Sequence, residues 1–450
     1  MTVQKRTVTS FFEKEYLEYA RYVVSSRAIP NCIDGLKPTQ RKIIFVSNKI
    51  WKSGNEKPMK LFQLAGRVAS EAYYHHGNSS LEGAMVTMAQ KFKNSLPLLD
   101  GIGQFGSLRS PEAGAPRYIG AKLHPNFRLI YQDFELLSPR YEEGEQIEPD
   151  FFLPIVPTVI LNGSSGIAVG FATNILNRNP IDVIDACEAV IKNKKMPTLK
   201  PWLSEFRGTW ERDLDNPNTW KIKGSYEVIN TTTVKITEIP PHFTYERYED
   251  HLNFLMDKKI IVGYDDNSSE NIEYVVKFNR AVLKELISKG RIEATLKLNS
   301  QETENLTTID ETGSLKIFER VEDIVTHFVN VRLGFYEKRK SYLIQKIERE
   351  LTVISNKARI IKAIIDGKLK INNVPKSQII LYLQSGNFDE VDGSYNYLLN
   401  MPIHSLTKER FNELLKQELD KERELESIKK TDHRDMYLGD LSLLKNALKK

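Results

Sequence analysis

Asp34-Gly35-Leu36-Lys37-Pro38-Thr39-Gln40-Arg41-Lys42 is the stretch from which the organisation of this 450-residue chain is read. Asp34-Gly35 starts a tight turn, because glycine accepts backbone conformations closed to other residues. Pro38 then falls in the first turn of a helix, where its missing N–H removes nothing the helix uses. That helix is predicted to run to about Lys49. Upstream, Phe12, Tyr16, Ala20 and Val23 recur at three and four residues and predict a helix over about 10 to 30, ending before Pro30. Downstream, two further helices are expected at about 59 to 73 and 79 to 93. Tyr74-His75-His76-Gly77-Asn78 parts them, with Gly77 suited to a reversal.

This helix, turn, helix order resembles a winged-helix DNA-binding module. Arg21, Arg27, Lys37, Arg41, Lys42, Lys49, Lys52, Lys57, Lys60 and Arg67 recur through it, whereas Glu142, Glu143, Glu145, Glu148 and Asp150 form an acidic stretch. A DNA-facing surface is therefore expected mainly in the first 130 residues. The net charge of +5 permits a polyanionic partner without requiring one. With 40% hydrophobic and 27% charged residues, the chain reads as two to four ordinary globular domains. It has no apolar run of about 18 residues, and Met1-Thr2-Val3-Gln4-Lys5-Arg6-Thr7 lacks the apolar stretch of a signal peptide, so a cytoplasmic, DNA-associated protein is expected. Cys32 and Cys187 stand far apart and build neither a disulfide framework nor a zinc knuckle; both are expected to be buried as small apolar residues.

From about 96 to 180 the sequence turns to loops and short strands. Residues from about 181 to 315 mix amphipathic helices with β-type runs such as Thr233-Val234-Lys235-Ile236-Thr237 and Tyr274-Val275-Val276-Lys277-Phe278. After that, Ile324, Phe328, Val331 and Phe335, then Leu343, Ile347, Leu351, Ile354, Ala358, Ile361 and Ile365, predict a helix roughly 60 Å long at about 1.5 Å per residue. A stripe of that length needs a partner helix. Ser405-Leu406-Thr407-Lys408-Glu409 offers a capping signal, and Phe411, Leu414, Leu415, Leu419, Leu425 and Ile428 supply a matching stripe. The result expected is an antiparallel coiled-coil arm with a small knob at its tip.

Several motifs are set aside. Asp100-Gly101-Ile102-Gly103-Gln104-Phe105-Gly106 contains a formal G-x-G-x-x-G, but the loop of Ser110-Pro111-Glu112-Ala113-Gly114-Ala115-Pro116 follows where a dinucleotide site needs a helix. Asn162-Gly163-Ser164-Ser165-Gly166-Ile167-Ala168-Val169-Gly170 lacks the Gly-Lys-Ser/Thr ending of a phosphate loop; its small residues serve close approach of backbones or of DNA. His75-His76 lacks the partners of a metal site, but it precedes a predicted helix N-terminus, where phosphate is attracted. Arg117-Tyr118 gains meaning from its setting, a Gly-, Ser- and Pro-rich loop presenting a phenol beside a guanidinium downstream of a basic helical module.

Taken in order, Arg27-Ala28-Ile29-Pro30, the 34–38 turn, Tyr74-His75-His76-Gly77, the 100–106 loop, Arg117-Tyr118 and the 162–170 stretch resemble the breakage and reunion subunit of type IIA DNA topoisomerases. Ile236-Thr237-Glu238-Ile239-Pro240-Pro241 and Ile403-His404-Ser405-Leu406-Thr407-Lys408-Glu409 extend the resemblance over nearly the whole chain. The compact Tyr-His-His-Gly form is more similar to the eukaryotic and T-even phage branch than to bacterial gyrase. The resemblance implies a multidomain α+β fold: an N-terminal helical arm (1–30), a winged-helix domain carrying the nucleophilic tyrosine (31–130), a tower-like α+β domain (131–315), an outgoing coiled-coil helix (316–367), a dimerisation cap (368–404), and a return helix with a C-terminal tail (405–450). It further implies that Tyr118 attacks a phosphodiester and keeps the 5′ phosphate, with Arg117, His76 and Arg27 stabilising the charge. Lys37, Gln40, Arg41 and His75 would hold the DNA backbone, Ser79 would lie near the break, and Ile175 would wedge between bases.

The chain departs from the family at Leu176-Asn177, where a proline usually follows the wedge residue, and at Gln40, where gyrase has histidine. It shows no acidic Glu and Asp-x-Asp cluster in a β-α setting for magnesium and no ATPase glycine motif, so Mg2+ and ATP are expected on a partner chain, with two copies of this chain cutting two strands. Its end just after the coiled-coil return leads to an expectation of relaxation and decatenation without active supercoiling. The alternatives are a noncatalytic DNA-bridging or bending protein and a tyrosine recombinase. The latter needs an Arg, His, Arg set upstream of a C-terminal tyrosine, an order not found here.

Overall fold

The computed structural model describes residues 12–52, 57–269 and 271–449. The chain forms two compact units, Met1–Arg332 with Asp440–Lys450, and Leu333–Gly439. The first residues of the expected N-terminal helix, and the Phe12 side chain, lie outside the described residues.

In the first unit, α1 (Leu17–Val23) is flanked by π-helical turns at Phe12–Tyr16 and Val24–Ala28 and gives way to extended backbone at Ile29. The expected apolar face does not form. Of the expected residues, Val23 is buried, Ala20 half-buried and Tyr16 exposed, and Leu17, Tyr19 and Tyr22 are exposed as well. The following turn is closed by Gly35 N–H donating to Asn31 O at 2.9 Å and Leu36 N–H to Asp34 Oδ1 at 2.9 Å. Gly35 is required there: its φ is +67°, and a Cβ would stand 2.5 Å from Val159 N.

Pro38 opens α2 (Pro38–Ile50), which buries Ile43, Ile44, Phe45 and Val46. Met59 and Lys60, expected to be helical, instead form strand β1 (Met59–Lys60) by pairing with Ala121 and Gly120. Helices α3 (Leu61–Glu71) and α4 (Asn78–Ala89) follow, then strands β2 (Leu99–Ile102) and β3 (Gly120–Leu123). The three strands make an antiparallel sheet in the order β1-β3-β2. Helix α4 stops before the expected residue 93 because Gln90 turns to extended backbone. The buried Gln90 side chain then donates to Phe105 O at 2.9 Å and Pro111 O at 3.0 Å.

The small-residue stretch folds as a hairpin, β4 (Ser164–Ile167) and β5 (Ala172–Ile175), with Gly166 against the chain at Ala28: a Cβ would lie 2.3 Å from Ala28 O. Next comes α5 (Pro180–Ile191), capped by Asn179. The α+β region contains β6 (Thr209–Arg212), β7 (Thr219–Lys223), β8 (Ser225–Val228), β9 (Thr233–Glu238), α6 (Tyr245–Asp257), β10 (Ile261–Asp266), β11 (Tyr274–Phe278), α7 (Arg280–Ser288), β12 (Asn299–Thr303), β13 (Leu306–Ile309) and β14 (Leu315–Phe318). Its main sheet runs β8-β9-β11-β10. Every second residue of β9 and β11 is buried, so Val234, Ile236, Tyr274 and Val276 meet Tyr248 and Leu252 of α6 and Leu283 of α7 in one core.

Long-range ties fix these pieces together. Fully buried Arg178 donates to Glu304 at 2.7 Å, and Trp220 Nε1–H donates to the same carboxylate at 2.9 Å. The β13–β14 hairpin returns to the first turn, with Cys32 N–H donating to Ile309 O at 2.7 Å. Cys32 and Cys187 are both buried free thiols.

The helix predicted as longest is α8 (Val321–Ile365), 45 residues. In the first unit its Ile324, Val325, Phe328 and Val329 are buried, and buried Arg332 donates to Pro154 O at 3.1 Å and Asp133 at 2.5 Å. The second unit holds the rest of α8, then α9 (Lys376–Ser385), α10 (Lys408–Lys430) and the start of α11 (His433–Leu448). Ile360, Ile361, Leu369, Leu383, Leu398 and Leu414 share one core. Helices α8 and α10 run antiparallel, joined by Lys421–Glu350 at 2.8 Å and Lys429–Glu348 at 2.7 Å.

Two expectations need correction here. Leu415 and Leu419 are exposed, because they stand about 100° and 140° around α10 from buried Leu414, whereas Leu425 and Ile428 return to its side. The segment after residue 430 is also more than a tail. Thr431 ends α10 and α11 begins, burying Tyr437, which stacks on Tyr336 at 4.5 Å, and then Leu441 and Leu444.

Candidate functional site

Tyr118 stands in a turn two residues ahead of β3, the central strand of the three-stranded sheet, and its side chain is 69% exposed. The turn is closed by Tyr118 N–H donating to Ala115 O at 2.8 Å, and Lys60 Nζ donates to the Tyr118 carbonyl. The Arg117 guanidinium lies 5.3 Å from the centre of the Tyr118 ring, so a cation accompanies the phenol.

The loop that delivers this pair is pinned along its length. Gln90 holds it at Phe105 and Pro111, Leu108 N–H donates to Glu205 at 2.8 Å, and Gly114 N–H donates to Gln104 O at 2.9 Å. Buried Arg109 donates to Glu238 at 2.6 Å and to the carbonyls of Ile239, Pro240 and Phe243. Gly103 and Gly106, at φ +107° and +78°, supply its sharp bends. The phenol thus projects freely from a base with little freedom.

A second group of expected residues lines an open cleft of about 1220 Å³: Arg27, Lys37, Gln40, Arg41, His75 and His76. Arg117, Tyr118 and Ser79 are not among its lining residues, so within this chain the structure does not bring the nucleophile into one pocket with Arg27 and His76. Ser79 is exposed in the first turn of α4, and its neighbour Ser80 lines the cleft instead.

Inside the cleft the side chains differ in what they can offer. Arg27, His75 and His76 are exposed. His76 Nε2 lies 3.1 Å from the Tyr22 hydroxyl, and its ring meets Tyr74 edge-on at 5.3 Å. His75 Nε2 is 3.4 Å from Glu142. Lys37 Nζ donates to Ser165 O at 2.7 Å, and burial holds this ammonium below the usual lysine range. Gln40 Oε1 accepts from Lys37 N–H at 2.9 Å, completing the cap of α2.

Two residues expected at the DNA are largely buried in this chain. Arg41 is largely buried, with Nε and Nη2 donating to Asp34 at 2.7 and 3.0 Å and Nη2 to Leu36 O at 3.0 Å, so it braces the turn while its residue still borders the cleft. Ile175, expected as the wedge, is 3% exposed on β5 and lines a smaller cavity of about 330 Å³ with Lys37, Gln40 and Asn162. The exposed large apolar residues of this hairpin are Ile167, at 88%, and Phe171, at 41%.

Magnesium binds oxygen ligands, commonly carboxylates. Among the described residues, the one set of three metal-ligating side chains within mutual reach is Cys32, Glu311 and His327, with a single carboxylate. Glu311 bonds His327 Nε2 at 2.8 Å, while the Lys316 ammonium is 3.1 Å from Nδ1. A thiol that burial raises to about 12 and a lysine ammonium on the imidazole do not fit a magnesium site.

Sequence reasoning misses Tyr22, Gln90 and Arg109 and reads Lys60 only as one basic residue among ten. Arg109 lies in the right loop, but no local pattern pairs it with Glu238, 129 residues away.

A pinned loop thus presents an exposed tyrosine with an arginine at its ring, beside a basic helical module. The sequence profile of the gyrase A and topoisomerase IV A subunits, the DNA gyrase/topoisomerase IV family, matches residues 27–443, and the chain belongs to this family of type II DNA topoisomerases. It is 33% identical to the DNA topoisomerase medium subunit of Enterobacteria phage T4, over 99% of this chain and 100% of that protein. It is 34% identical to the mitochondrial DNA topoisomerase 2 of Dictyostelium discoideum, covering all of this chain but 36% of that one, so it spans about a third of that longer relative. Its fold is similar to the DNA-binding, cleavage and re-ligation domain of Plasmodium falciparum topoisomerase II, with TM-score 0.87 and 34% identity over 98% of this chain and 64% of that one.

Proposed function

We propose that this chain is the DNA-cleaving and religating part of an ATP-dependent type IIA topoisomerase, with Tyr118 as nucleophile. The carrying observation is Tyr118 itself: an exposed phenol beside Arg117, on a loop anchored at both the sheet and the α+β region. The Tyr118 oxygen bonds to a backbone phosphorus and gives up its proton. The bond from phosphorus to the 3′ oxygen breaks, and that oxygen leaves as a hydroxyl. The 5′ phosphate stays on the tyrosine, the ester keeps the energy of the broken bond, and attack by the 3′ hydroxyl reverses the step without ATP.

In this reading, α2, α3, α4 and their sheet act as the winged-helix module, the 131–315 region as the tower, and α8 with α10 as a coiled coil whose tip pairs two copies. Arg117 stabilises charge on the phosphate oxygens beside Tyr118. Arg27 and His76 serve the cleft from which this chain's own Tyr118 is absent, so the complete site is assembled between two copies. Lys37, Gln40 and His75 hold the backbone of the DNA. Magnesium and ATP are bound by a partner polypeptide, and the second duplex passes through the break before resealing, giving relaxation and decatenation.

The test combines the chain with a metal-binding and ATP-hydrolysing partner, supercoiled DNA and magnesium, and traps protein on DNA with detergent. A 5′-phosphotyrosyl adduct is expected, and its absence in Tyr118→Phe. Persistence of the adduct in that variant, or DNA bridging with no adduct at all, overturns the proposal.

A further inference from the structure

We infer that Tyr22 is a positioning residue for His76, fixing which imidazole nitrogen faces the DNA; this rests on the reading of His76 given above. Tyr22 belongs to α1, of which Val23 is the buried residue, and its ring lies 44% exposed. An exposed tyrosine of this kind has no packing reason to hold one orientation. Its hydroxyl nevertheless reaches across 54 residues of sequence to lie 3.1 Å from His76 Nε2. The edge-on contact with Tyr74, at 5.3 Å and 73°, holds the imidazole from another direction. Two aromatic residues from separate segments thus restrict a ring that is itself exposed at the mouth of the cleft.

The hydrogen-bond chemistry sets the consequence. Neutral imidazole has one N–H and one acceptor nitrogen, and the partner of one decides the state of the other. With the Tyr22 O–H donating to Nε2, the proton sits on Nδ1, and Nδ1–H is the group left to meet a phosphate oxygen. If the ring takes up a second proton, Nε2–H donates to the Tyr22 oxygen and Nδ1–H keeps the same direction. With its O–H directed at Nε2, Tyr22 presets Nδ1–H as the donor; a neutral Nε2–H donating to the Tyr22 oxygen is the opposite arrangement, which the tautomer measurement below distinguishes. It also ties the N-terminal helix to the cleft, so that a displacement of α1 is felt at His76.

The test uses Tyr22→Phe, which keeps the ring and removes the hydroxyl, in two independent arms. In the first, 15N-labelled histidine in the full chain is observed by NMR without DNA or partner. The wild type is expected to show His76 as the Nδ1–H tautomer and Tyr22→Phe to shift it toward Nε2–H; the same tautomer in both overturns the inference. In the second, the chain assembled with its metal-binding partner is followed in a single-turnover cleavage assay. Loss of one such hydrogen bond is expected to slow cleavage about three- to tenfold at saturating DNA, with unchanged DNA affinity. The loss should vanish in a His76→Ala background, because the two changes then remove one interaction. An equal loss in both backgrounds overturns the inference. A wild type that forms no Tyr118 adduct refutes the proposed function instead, and the NMR arm still decides the Tyr22 contact.

Discussion

The Arg109 guanidinium and the Glu238 carboxylate, 2.6 Å apart and both buried, join the loop that carries Tyr118 to the end of β9. Arg109 also satisfies the carbonyls of Ile239, Pro240 and Phe243, while Glu238 accepts from Arg207 N–H at 2.9 Å. Arg109→Ala leaves a buried carboxylate without its cation and is expected to cost about 3–5 kcal/mol. Denaturant unfolding checks this. Arg109→Lys should recover little of it, since one ammonium cannot span four acceptors.

Lys37 and Arg41, four residues apart, line one cleft but carry different loads. Lys37→Ala is expected to weaken binding about five- to tenfold and lower the slope of log affinity against log salt by about one, because one phosphate contact is lost. Arg41→Lys should lower stability, because one ammonium cannot keep both Asp34 oxygens and Leu36 O bonded. Fluorescence anisotropy at several salt concentrations measures the first effect and thermal unfolding the second.

Gly35→Ala is expected to be among the most damaging single-methyl changes in the first unit. The new Cβ would meet Val159 N at 2.5 Å in a backbone already at φ +67°. A loss of more than about 2 kcal/mol is expected from the combined strain and overlap. Gly144, also at positive φ but with open space around it, is the control: alanine there should cost about 1 kcal/mol, the backbone penalty alone.

Cys32 gives a pH signature. Its thiol is raised from 9.0 to about 12 by burial, with Glu311 and Asp310 adding to the shift. The folded state keeps a proton that the unfolded chain releases above about pH 9. This contribution to stability is complete below that pH and falls by about 1.4 kcal/mol per unit as pH rises toward 12. The difference in unfolding free energy between wild type and Cys32→Ala, followed from pH 8 to about 10.5, should carry this slope.

What could be read in advance followed from local rules. Pro38 opened a helix, the alternation in β9 and β11 gave strands, and the long stripe of α8 gave a long helix, because each depends on residues close in sequence. Met59-Lys60 failed as helix because strand β3, some 60 residues away, recruits them. Arg41 and Lys37 look equally basic in sequence; only the fold decides that Arg41 pairs with buried Asp34 while Lys37 bonds only a backbone carbonyl. Ile175 could not be recognised as buried, since the alternation of β5 does not say which side is the interior. Tyr118 and Arg117 were legible through their surrounding loop, but their separation from the cleft of Arg27 and His76 depends on tertiary structure.

The openness of Tyr118 has a consequence for the fidelity of the proposed reaction. A phenol this accessible, once esterified to DNA, leaves the phosphorus open to water as well as to the 3′ hydroxyl. Hydrolysis would turn a reversible cut into permanent damage. Nothing in the pinned loop shields that phosphorus, so the shield has to be the DNA and the second copy closing over it. In the proposed reaction, safe resealing would then be a property of the assembled complex, and a ligand that held the assembly ajar would leave lasting strand breaks.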